Sequence, residues 1–208
     1  MPRREIRITG YGGQGIILTG YILGKAAAIY DELHSTMTQS FGPEARGSAC
    51  SAALVISDTP IAYPYLHETD YLVALSREGY EKYNAEMKRE GSILVHDLDL
   101  VDPSDLPDTI KTYGVPATRI AEELGKRIVQ NIVVVGFTIA ATEIVSKEAA
   151  RQAVESSVPK GLVELNLTAF EKGYEFYQQS RGSGDRGRDH GDSNVPGSSE
   201  SRVPSTSG

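Results

Sequence analysis

Residues 5–16, EIRITGYGGQGI, indicate the fold class of this chain more clearly than any other segment. Residues 5–8 alternate between polar and apolar side chains, as in a β-strand, and residues 16–28 are largely apolar with helical spacing and no proline. The turn between them carries Gly10, Gly12, Gly13 and Gly15. Because glycine adopts positive φ angles and has no side chain, a phosphate or carboxylate can approach the N–H groups at the helix start. The stretch therefore predicts a strand, an anion-binding turn and a helix.

The same G-x-G-x-x-G spacing is the fingerprint of dinucleotide-binding proteins. Such a site needs an acidic residue about 20 positions later, at the end of the second strand. We predict that strand over residues 33–38, which places Asp31 and Glu32 before it and Glu44 several residues beyond it. A dinucleotide site is therefore disfavoured, while an anion seat and a purely structural glycine turn both stay open.

Strand-like and helix-like segments alternate along the chain. This alternation predicts an α/β fold, a single Rossmann-like domain with a mainly parallel sheet and helices on both faces. The turn at Asp58-Thr59-Pro60 predicts a return strand over residues 61–63, which would make one strand pair antiparallel. The predicted strands cover residues 5–8, 33–38, 50–57, 71–75, 92–96 and 110–113. The predicted helices cover residues 16–30, 77–89, 117–124, 132–144, 147–156 and 161–177.

Two segments differ from the rest in composition. Residues 132–144 are nearly uncharged and carry Gly136 and Ala140 four positions apart, which suits close helix packing. We expect this helix either deep in the core or covered by another chain. From Arg181 onward Gly, Ser, Arg and Asp dominate, and such a segment buries too little apolar surface to fold. We therefore predict a domain over residues 1–180 and a disordered tail over residues 181–208.

The charge of the chain limits its partners. The 208 residues have a formal net charge of −7 and a pI near 5.2, whereas nucleic acids and anionic membranes bind basic faces. The chain lacks an apolar run long enough to span a membrane and begins without the apolar core of a signal peptide. We expect a cytoplasmic protein that binds neither nucleic acid nor membrane.

Metal and redox chemistry are not predicted for this chain alone. Its single cysteine, Cys50, forbids an internal disulfide and cannot supply the four thiolates of an iron–sulfur cluster. Residues 96–99, His-Asp-Leu-Asp, have no accompanying His or Cys pair with zinc spacing. We interpret Cys50 as a small buried strand residue and residues 96–99 as a solvated junction of strand and loop. We assign no catalytic and no metal-binding residue.

A second loop, predicted over residues 39–47, is turned sharply by Gly42-Pro43 and Gly47. Rigid loops hold their polar groups at fixed angles, which suits binding. The alternative is a surface loop whose charged residues only pair with each other or with the backbone. The polar candidates in this loop are Gln39, Ser40, Glu44 and Arg46.

Taken together, three stretches resemble the gamma subunit of 2-oxoacid:ferredoxin oxidoreductases, with the 2-oxoglutarate synthase branch most similar. They are GYGGQGI at residues 10–16, TQSFGPEARG at residues 38–47 and VISD at residues 55–58. The likeness continues through YLVALS at 71–76, YGVPAT at 113–118 and SVPKG at 157–161, and so covers roughly residues 5–177. It weakens at residues 48–53, where similar chains often read GACRSE and this chain reads SACSAA, so that Ser51 and Ala53 replace charged residues.

The resemblance implies an α/β subunit beside alpha and beta subunits that bind thiamine diphosphate and Mg²⁺, and beside a ferredoxin-like subunit. Such complexes oxidatively decarboxylate a 2-oxo acid, transfer the acyl group to coenzyme A and reduce ferredoxin through iron–sulfur clusters. This chain is then expected to support catalysis and to bind no cofactor alone. A stand-alone nucleotide-binding dehydrogenase and a non-catalytic interaction domain are the alternatives.

The resemblance also assigns expected roles to two groups of residues. One group forms the candidate seat for an anion or for coenzyme A: Gly10, Gly12, Gly13, Gln14 and Gly15. The other group forms a candidate partner interface or active-site loop: Gln39, Ser40, Glu44 and Arg46.

Overall fold

The computed structural model describes residues 2–41 and 49–184. The strands are β1 Arg4–Tyr11, β2 His34–Ser40, β3 Ala49–Ser57, β4 Tyr71–Ala74, β5 Ile93–Asp97 and β6 Lys111–Val115. The helices are α1 Ile16–Lys25, α2 Arg77–Tyr83, α3 Ala117–Glu123, α4 Gln130–Thr142, α5 Lys147–Glu155 and α6 Val163–Gly184. A π-helical turn, Ala26–Tyr30, continues α1, and short 3₁₀ turns occupy Asn84–Glu86, Arg127–Val129 and Lys160–Leu162. Of the helices in these ranges, none has the length and apolarity needed to cross a membrane.

The strands form one sheet in the order β2-β3-β1-β4-β5-β6. β1, β4, β5 and β6 are parallel neighbours, whereas β3 is antiparallel to both β1 and β2. Since β2 thereby points the same way as β1, β3 is the one reversed strand of this sheet. The predicted mainly parallel α/β sheet is confirmed.

The predicted return strand over residues 61–63 is wrong, because side chains rather than strand pairing hold this segment. Arg3 donates hydrogen bonds to the carbonyl oxygens of Tyr63 and Tyr65, at 3.1 and 3.0 Å. The carboxylate of Glu5 accepts a hydrogen bond from the N–H of His67 at 2.5 Å and one from Arg3 Nε at 2.7 Å. The segment is thus fastened to the first residues of β1 without becoming a strand.

Helices cover both faces of the sheet, as predicted. Alternate residues of β4 show this division: Tyr71 and Val73 belong to the large core under α1, α4 and α6, whereas Leu72 and Ala74 pack with α2. The smaller core on the α2 side is completed by aromatic rings such as Tyr80 and by Leu94 of β5. Successive side chains of β4 point to opposite faces of the sheet, and helices cover both faces. All four residues of β4 are therefore buried.

The apolar helix α4 is buried within this chain. A Cβ atom at Gly136 would collide with the carbonyl oxygen of Phe170 in α6, and one at Gly173 of α6 would collide with the carbonyl oxygen of Val133. The two helices therefore cross backbone against backbone at a pair of glycines. Of the two predicted surroundings for residues 132–144, the structure shows the core.

Helix α6 extends past residue 180, the predicted end of the domain. Tyr177 packs edge to face on Phe137 at 5.4 Å between ring centroids, and the guanidinium of Arg181 lies over the Tyr177 ring at 5.8 Å. At Tyr177 the helix thus still packs on α4, and it continues past Arg181. The change in composition does not reveal this. The predicted tail beyond Gly184 lies outside the described residues, and its disorder stays a prediction.

Candidate functional site

The candidate site lies where β1 and β4 end side by side. The two strands are parallel neighbours, with Thr9 opposite Ala74. From β1 the sheet continues to β3 and β2 on one side, and from β4 it continues to β5 and β6 on the other. Ligands of open α/β sheets bind in the crevice at such a switch point. The glycine turn, residues 12–15, follows β1 and stands at this crevice.

The glycine turn is open to solvent and depends on glycine at two positions. Gly13 has a φ of 98° and Gly15 a φ of 73°, both in the left-handed region. A Cβ at Gly13 would meet nothing within 4 Å, so backbone conformation alone favours glycine there. Gly15 is the N-cap of α1, and no side chain caps the helix. The first N–H groups and the positive end of the helix dipole therefore face the turn, where a negative charge is stabilised.

Gln14 fills the crevice. Its Oε1 accepts a hydrogen bond from the Tyr11 N–H at 2.6 Å, and its Nε2 donates to the carbonyl oxygen of Leu75 at 2.9 Å. A Cβ at Gly10 would lie 2.6 Å from Gln14 Oε1, so glycine at position 10 makes room for this amide. Gln14 thus joins the ends of β1 and β4, and Gly10 makes room for it. Of the other predicted residues, Gly12 and Gly13 are exposed and Gly15 is partly buried.

One buried polar residue of the site was not predicted. Asn131, the second residue of α4, is 3% exposed, and its Nδ2 has no hydrogen-bond partner in the described part of the chain. A Cβ at Gly15 would lie 2.6 Å from this nitrogen. Asn131 stands at the start of an apolar run, and periodicity does not indicate what its amide contacts. The start of α4 therefore adjoins the start of α1 through Asn131 and Gly15.

The second predicted loop begins later than expected. Gln39 and Ser40 are the last residues of β2 and pair with Ala52 and Ser51 of β3. The prediction that both residues lie in a loop is therefore wrong. Their backbones pair with β3, and the pattern of side chains along β2 does not show how far that pairing extends. Both side chains are exposed. The remaining predicted residues lie outside the described ranges: Gly42, Pro43, Glu44, Arg46 and Gly47.

The ends of β1 and β2 lie at the same edge of the sheet, as predicted. Tyr11 at the end of β1 is opposite Ala49 in β3, and Ser40 at the end of β2 is opposite Ser51 in β3. The glycine turn and the segment after Ser40 therefore leave the sheet from neighbouring positions. A ligand or partner at this edge can reach both.

The start of β3 is buried and uncharged. Cys50 is 8% exposed, and burial raises the pKa of its thiol, which confirms a small buried strand residue. Ser51 and Ala53 are also buried, and the Ser51 hydroxyl is hydrogen-bonded to the Tyr83 hydroxyl at 3.0 Å. Where similar chains carry charged residues, this chain therefore makes an uncharged contact between β3 and α2.

The predicted solvated junction at residues 96–99 is wrong for its first two residues. Asp97 is 0% exposed, and its Oδ1 accepts a hydrogen bond from the Asp99 N–H at 2.9 Å. Burial raises the pKa of the Asp97 carboxyl and lowers that of the His96 imidazole. Helix α3, which follows the neighbouring strand β6, covers the end of β5. The hydroxyl oxygen of Thr118 in α3 lies 3.4 Å from Asp97 Oδ2. No group of three potential metal ligands occurs among the described residues.

Asp31, one of the two acidic residues before β2, serves the fold. Asp31 accepts hydrogen bonds from the backbone N–H and the hydroxyl of Ser146, each at 2.6 Å. Ser146 is the N-cap of α5, so Asp31 joins the end of the first helix to the start of another. It precedes β2, at the edge opposite the glycine turn, and does not supply the acid of a dinucleotide site.

In sequence, residues 5–176 match the pyruvate ferredoxin/flavodoxin oxidoreductase family. The chain is 51% identical over 179 residues to the 2-oxoglutarate synthase subunit KorC of Methanocaldococcus jannaschii. This alignment covers 85% of the present chain and 95% of the archaeal protein. The likeness thus extends over almost the whole of that subunit.

In structure, the chain is similar to the gamma subunit of a keto/oxoacid ferredoxin oxidoreductase from Geobacter sulfurreducens, with 43% identity and a TM-score of 0.73. That match covers 85% of this chain and 99% of the other. The 2-oxoglutarate:ferredoxin oxidoreductase from Magnetococcus marinus, solved with 2-oxoglutarate, coenzyme A and succinyl-CoA bound, gives a TM-score of 0.78 at 23% identity. It shares the fold over 86% of this chain and 32% of its own.

Proposed function

This chain belongs to the pyruvate ferredoxin/flavodoxin oxidoreductase family, and on that premise we propose that it is the gamma-type subunit of a 2-oxoglutarate:ferredoxin oxidoreductase. The observation that carries the proposal is the 51% identity to a 2-oxoglutarate synthase subunit over 95% of that subunit's length. The family match over residues 5–176 includes the glycine turn together with the sheet and helices that position it.

The proposed complex removes carbon dioxide from 2-oxoglutarate, transfers the succinyl group to the thiol of coenzyme A and passes the released electrons to ferredoxin. Thiamine diphosphate and Mg²⁺ belong to the alpha and beta subunits in this proposal, and iron–sulfur clusters to partner subunits. With a single cysteine, this chain cannot provide the thiolates of such a cluster. We place the complex in the cytoplasm.

Within this chain, the glycine turn is the proposed contact with an anionic group of coenzyme A. Three observations support it: the turn is exposed, it stands at the switch point of the sheet, and α1 has no side-chain cap. A phosphate at such a helix start accepts hydrogen bonds from backbone N–H groups and is stabilised by the helix dipole. No charged side chain is needed for this contact.

A dinucleotide-dependent dehydrogenase is less well supported by the same geometry. Asp31 is engaged with Ser146 at the edge opposite the glycine turn. A dinucleotide needs an acid at the end of the second strand. The last two residues of β2, Gln39 and Ser40, are exposed and carry no acidic group.

The segment after β2 is the proposed contact with the thiamine diphosphate-binding subunits. Gln39 and Ser40 are exposed at the edge of the sheet that carries the glycine turn, and Glu44 and Arg46 follow them in sequence. A guanidinium such as that of Arg46 forms planar, two-pronged contacts with carboxylates, which suits an interface between subunits.

The seat for coenzyme A is tested by changing Gly12→Asp in the assembled complex. A carboxylate at this exposed position repels the anion, and we expect the KM for coenzyme A to rise by about tenfold or more while the melting temperature of the chain changes little. The matched control is Gly161→Asp, because Gly161 is also exposed and a Cβ there meets nothing within 4 Å. Unchanged coenzyme A affinity in the Gly12 variant would show that the turn is only structural.

A further inference from the structure

We propose that Asn131 is a ligand-binding residue of the glycine-turn site, where its side-chain amide donates a hydrogen bond to the bound anionic group. This inference rests on the proposed function, which places an anion of coenzyme A at the turn. It adds a donor from a second helix, so that the anion is held between the starts of α1 and α4.

The first observation is a buried donor without an acceptor. Asn131 is 3% exposed, and within the described ranges Nδ2 has no hydrogen-bond partner. Buried amide groups in native proteins are almost always hydrogen-bonded, and an unpaired one calls for an explanation. A donor that pairs only when ligand is bound provides that explanation.

The second observation is where this donor lies. A Cβ at Gly15 would stand 2.6 Å from Asn131 Nδ2 and 2.7 Å from its Cγ, so the amide packs directly against the N-cap of α1. Glycine at position 15 is therefore required by its φ of 73° and also by the space that the amide occupies. Any larger residue would separate the amide from the turn.

The third observation is that two helix starts meet here. Gly15 precedes the 10 residues of α1, and Asn131 is the second of the 13 residues of α4. The first residues of both helices therefore lie together where these two residues touch, and a helix start favours negative charge. An anionic oxygen placed there is stabilised by both dipoles and accepts from the Asn131 amide once the glycine turn shifts to admit it. Gly12 and Gly13 have no side chains to oppose that shift.

The alternative is that Asn131 does not contact the ligand and only stabilises the fold. The nitrogen and oxygen of a side-chain amide are distinguished only by their hydrogen bonds. If the Asn131 amide were turned over, its oxygen would stand in the position of Nδ2 and would accept a hydrogen bond from a backbone N–H in the first turn of α1. Asn131 would then cap α1 across the two helices. Its replacement by an apolar residue would destabilise the free chain and leave the ligand contact intact.

The test is Asn131→Leu, measured by calorimetric titration of coenzyme A into the assembled complex and by the melting temperature of the chain. A ligand donor predicts that the Kd for coenzyme A rises by about tenfold to a hundredfold, since a hydrogen bond to a charged group is lost. It also predicts a melting temperature that is unchanged or higher, because an unpaired buried amide is removed. The control is Thr138→Val, which removes another buried unpartnered polar atom of α4. It should leave the Kd for coenzyme A unchanged and the melting temperature unchanged or higher, for the same reason.

A lower melting temperature with unchanged coenzyme A affinity in Asn131→Leu would overturn the inference. If that variant fails to fold, Asn131→Asp decides, because a carboxylate preserves a cap but repels an anion. Folded protein with normal coenzyme A affinity would again overturn it, whereas folded protein with weakened affinity would support it. The result for Gly12→Asp separates the two proposals: weakened binding in that variant alone removes only the role of Asn131, and normal binding in all variants removes the site itself.

Discussion

At the scale of single residues, the glycine turn contains parts that a sequence shows and parts that it does not. The need for glycine at Gly13 and Gly15 follows from the turn between a strand and a helix, and both have positive φ angles. The direction of the Gln14 amide and the buried Asn131 could not be predicted, because they depend on which strand and which helix lie beside the turn. The burial of Asp97 was missed for the same reason, since α3 covers it from a distant part of the chain.

Gln14 gives a prediction at this scale. In Gln14→Glu, a carboxylate replaces the amide that donates to the Leu75 carbonyl oxygen, so a donor is lost and two acceptors face each other. We expect the free energy of unfolding to fall by about 1 to 3 kcal/mol at neutral pH, measured by urea titration. The control is Gln152→Glu, because the Gln152 amide makes an exposed hydrogen bond to Glu148 within one helix. An equal effect in both variants would mean that Gln14 does not join the two strands.

At the scale of elements, every predicted strand and helix except the return strand over residues 61–63 occurs. Two helix ends differ from the prediction: α2 ends at Tyr83 rather than at residue 89, and α6 continues to Gly184 rather than ending at residue 177. Each of these elements carries its own pattern of apolar residues, which is a local property. The order and direction of the strands are not local: β3 lies between β2 and β1 because its backbone pairs with both. The close partner of Gly136 in α4 could likewise not be predicted, since Gly173 lies in α6, a separate helix 37 positions later in the sequence.

The crossing of α4 and α6 gives a prediction at this scale. Alanine normally favours a helix over glycine by about 1 kcal/mol, but a Cβ at Gly136 collides with the carbonyl oxygen of Phe170. We expect Gly136→Ala to lower the free energy of unfolding by about 1 to 3 kcal/mol, because backbone cannot rotate away as a side chain can. Thermal or urea unfolding measures the loss. Gly161→Ala, where a Cβ meets nothing within 4 Å, should change stability by less than about 0.5 kcal/mol, and a similar loss there would refute the packing argument.

At the scale of the whole molecule, we propose that this chain offers its partner subunits a seat for an anion. Its one cysteine is buried in β3, and the described residues bring together no set of metal ligands. The exposed glycine turn and the end of β2 share one edge of the sheet. That arrangement suits a subunit that presents coenzyme A to a reaction centre formed by its partners, which is the role proposed from the family.

The most direct test is purification of the complex from the native source through a tag on this chain, followed by an assay of ferredoxin reduction. We expect subunits carrying thiamine diphosphate to co-purify in fixed proportion with this chain. We also expect the preparation to reduce ferredoxin when both 2-oxoglutarate and coenzyme A are present, and to do so far more slowly with pyruvate in place of 2-oxoglutarate. A chain that purifies without partners, or a complex that shows no reduction dependent on a 2-oxo acid and coenzyme A, would contradict the proposed function.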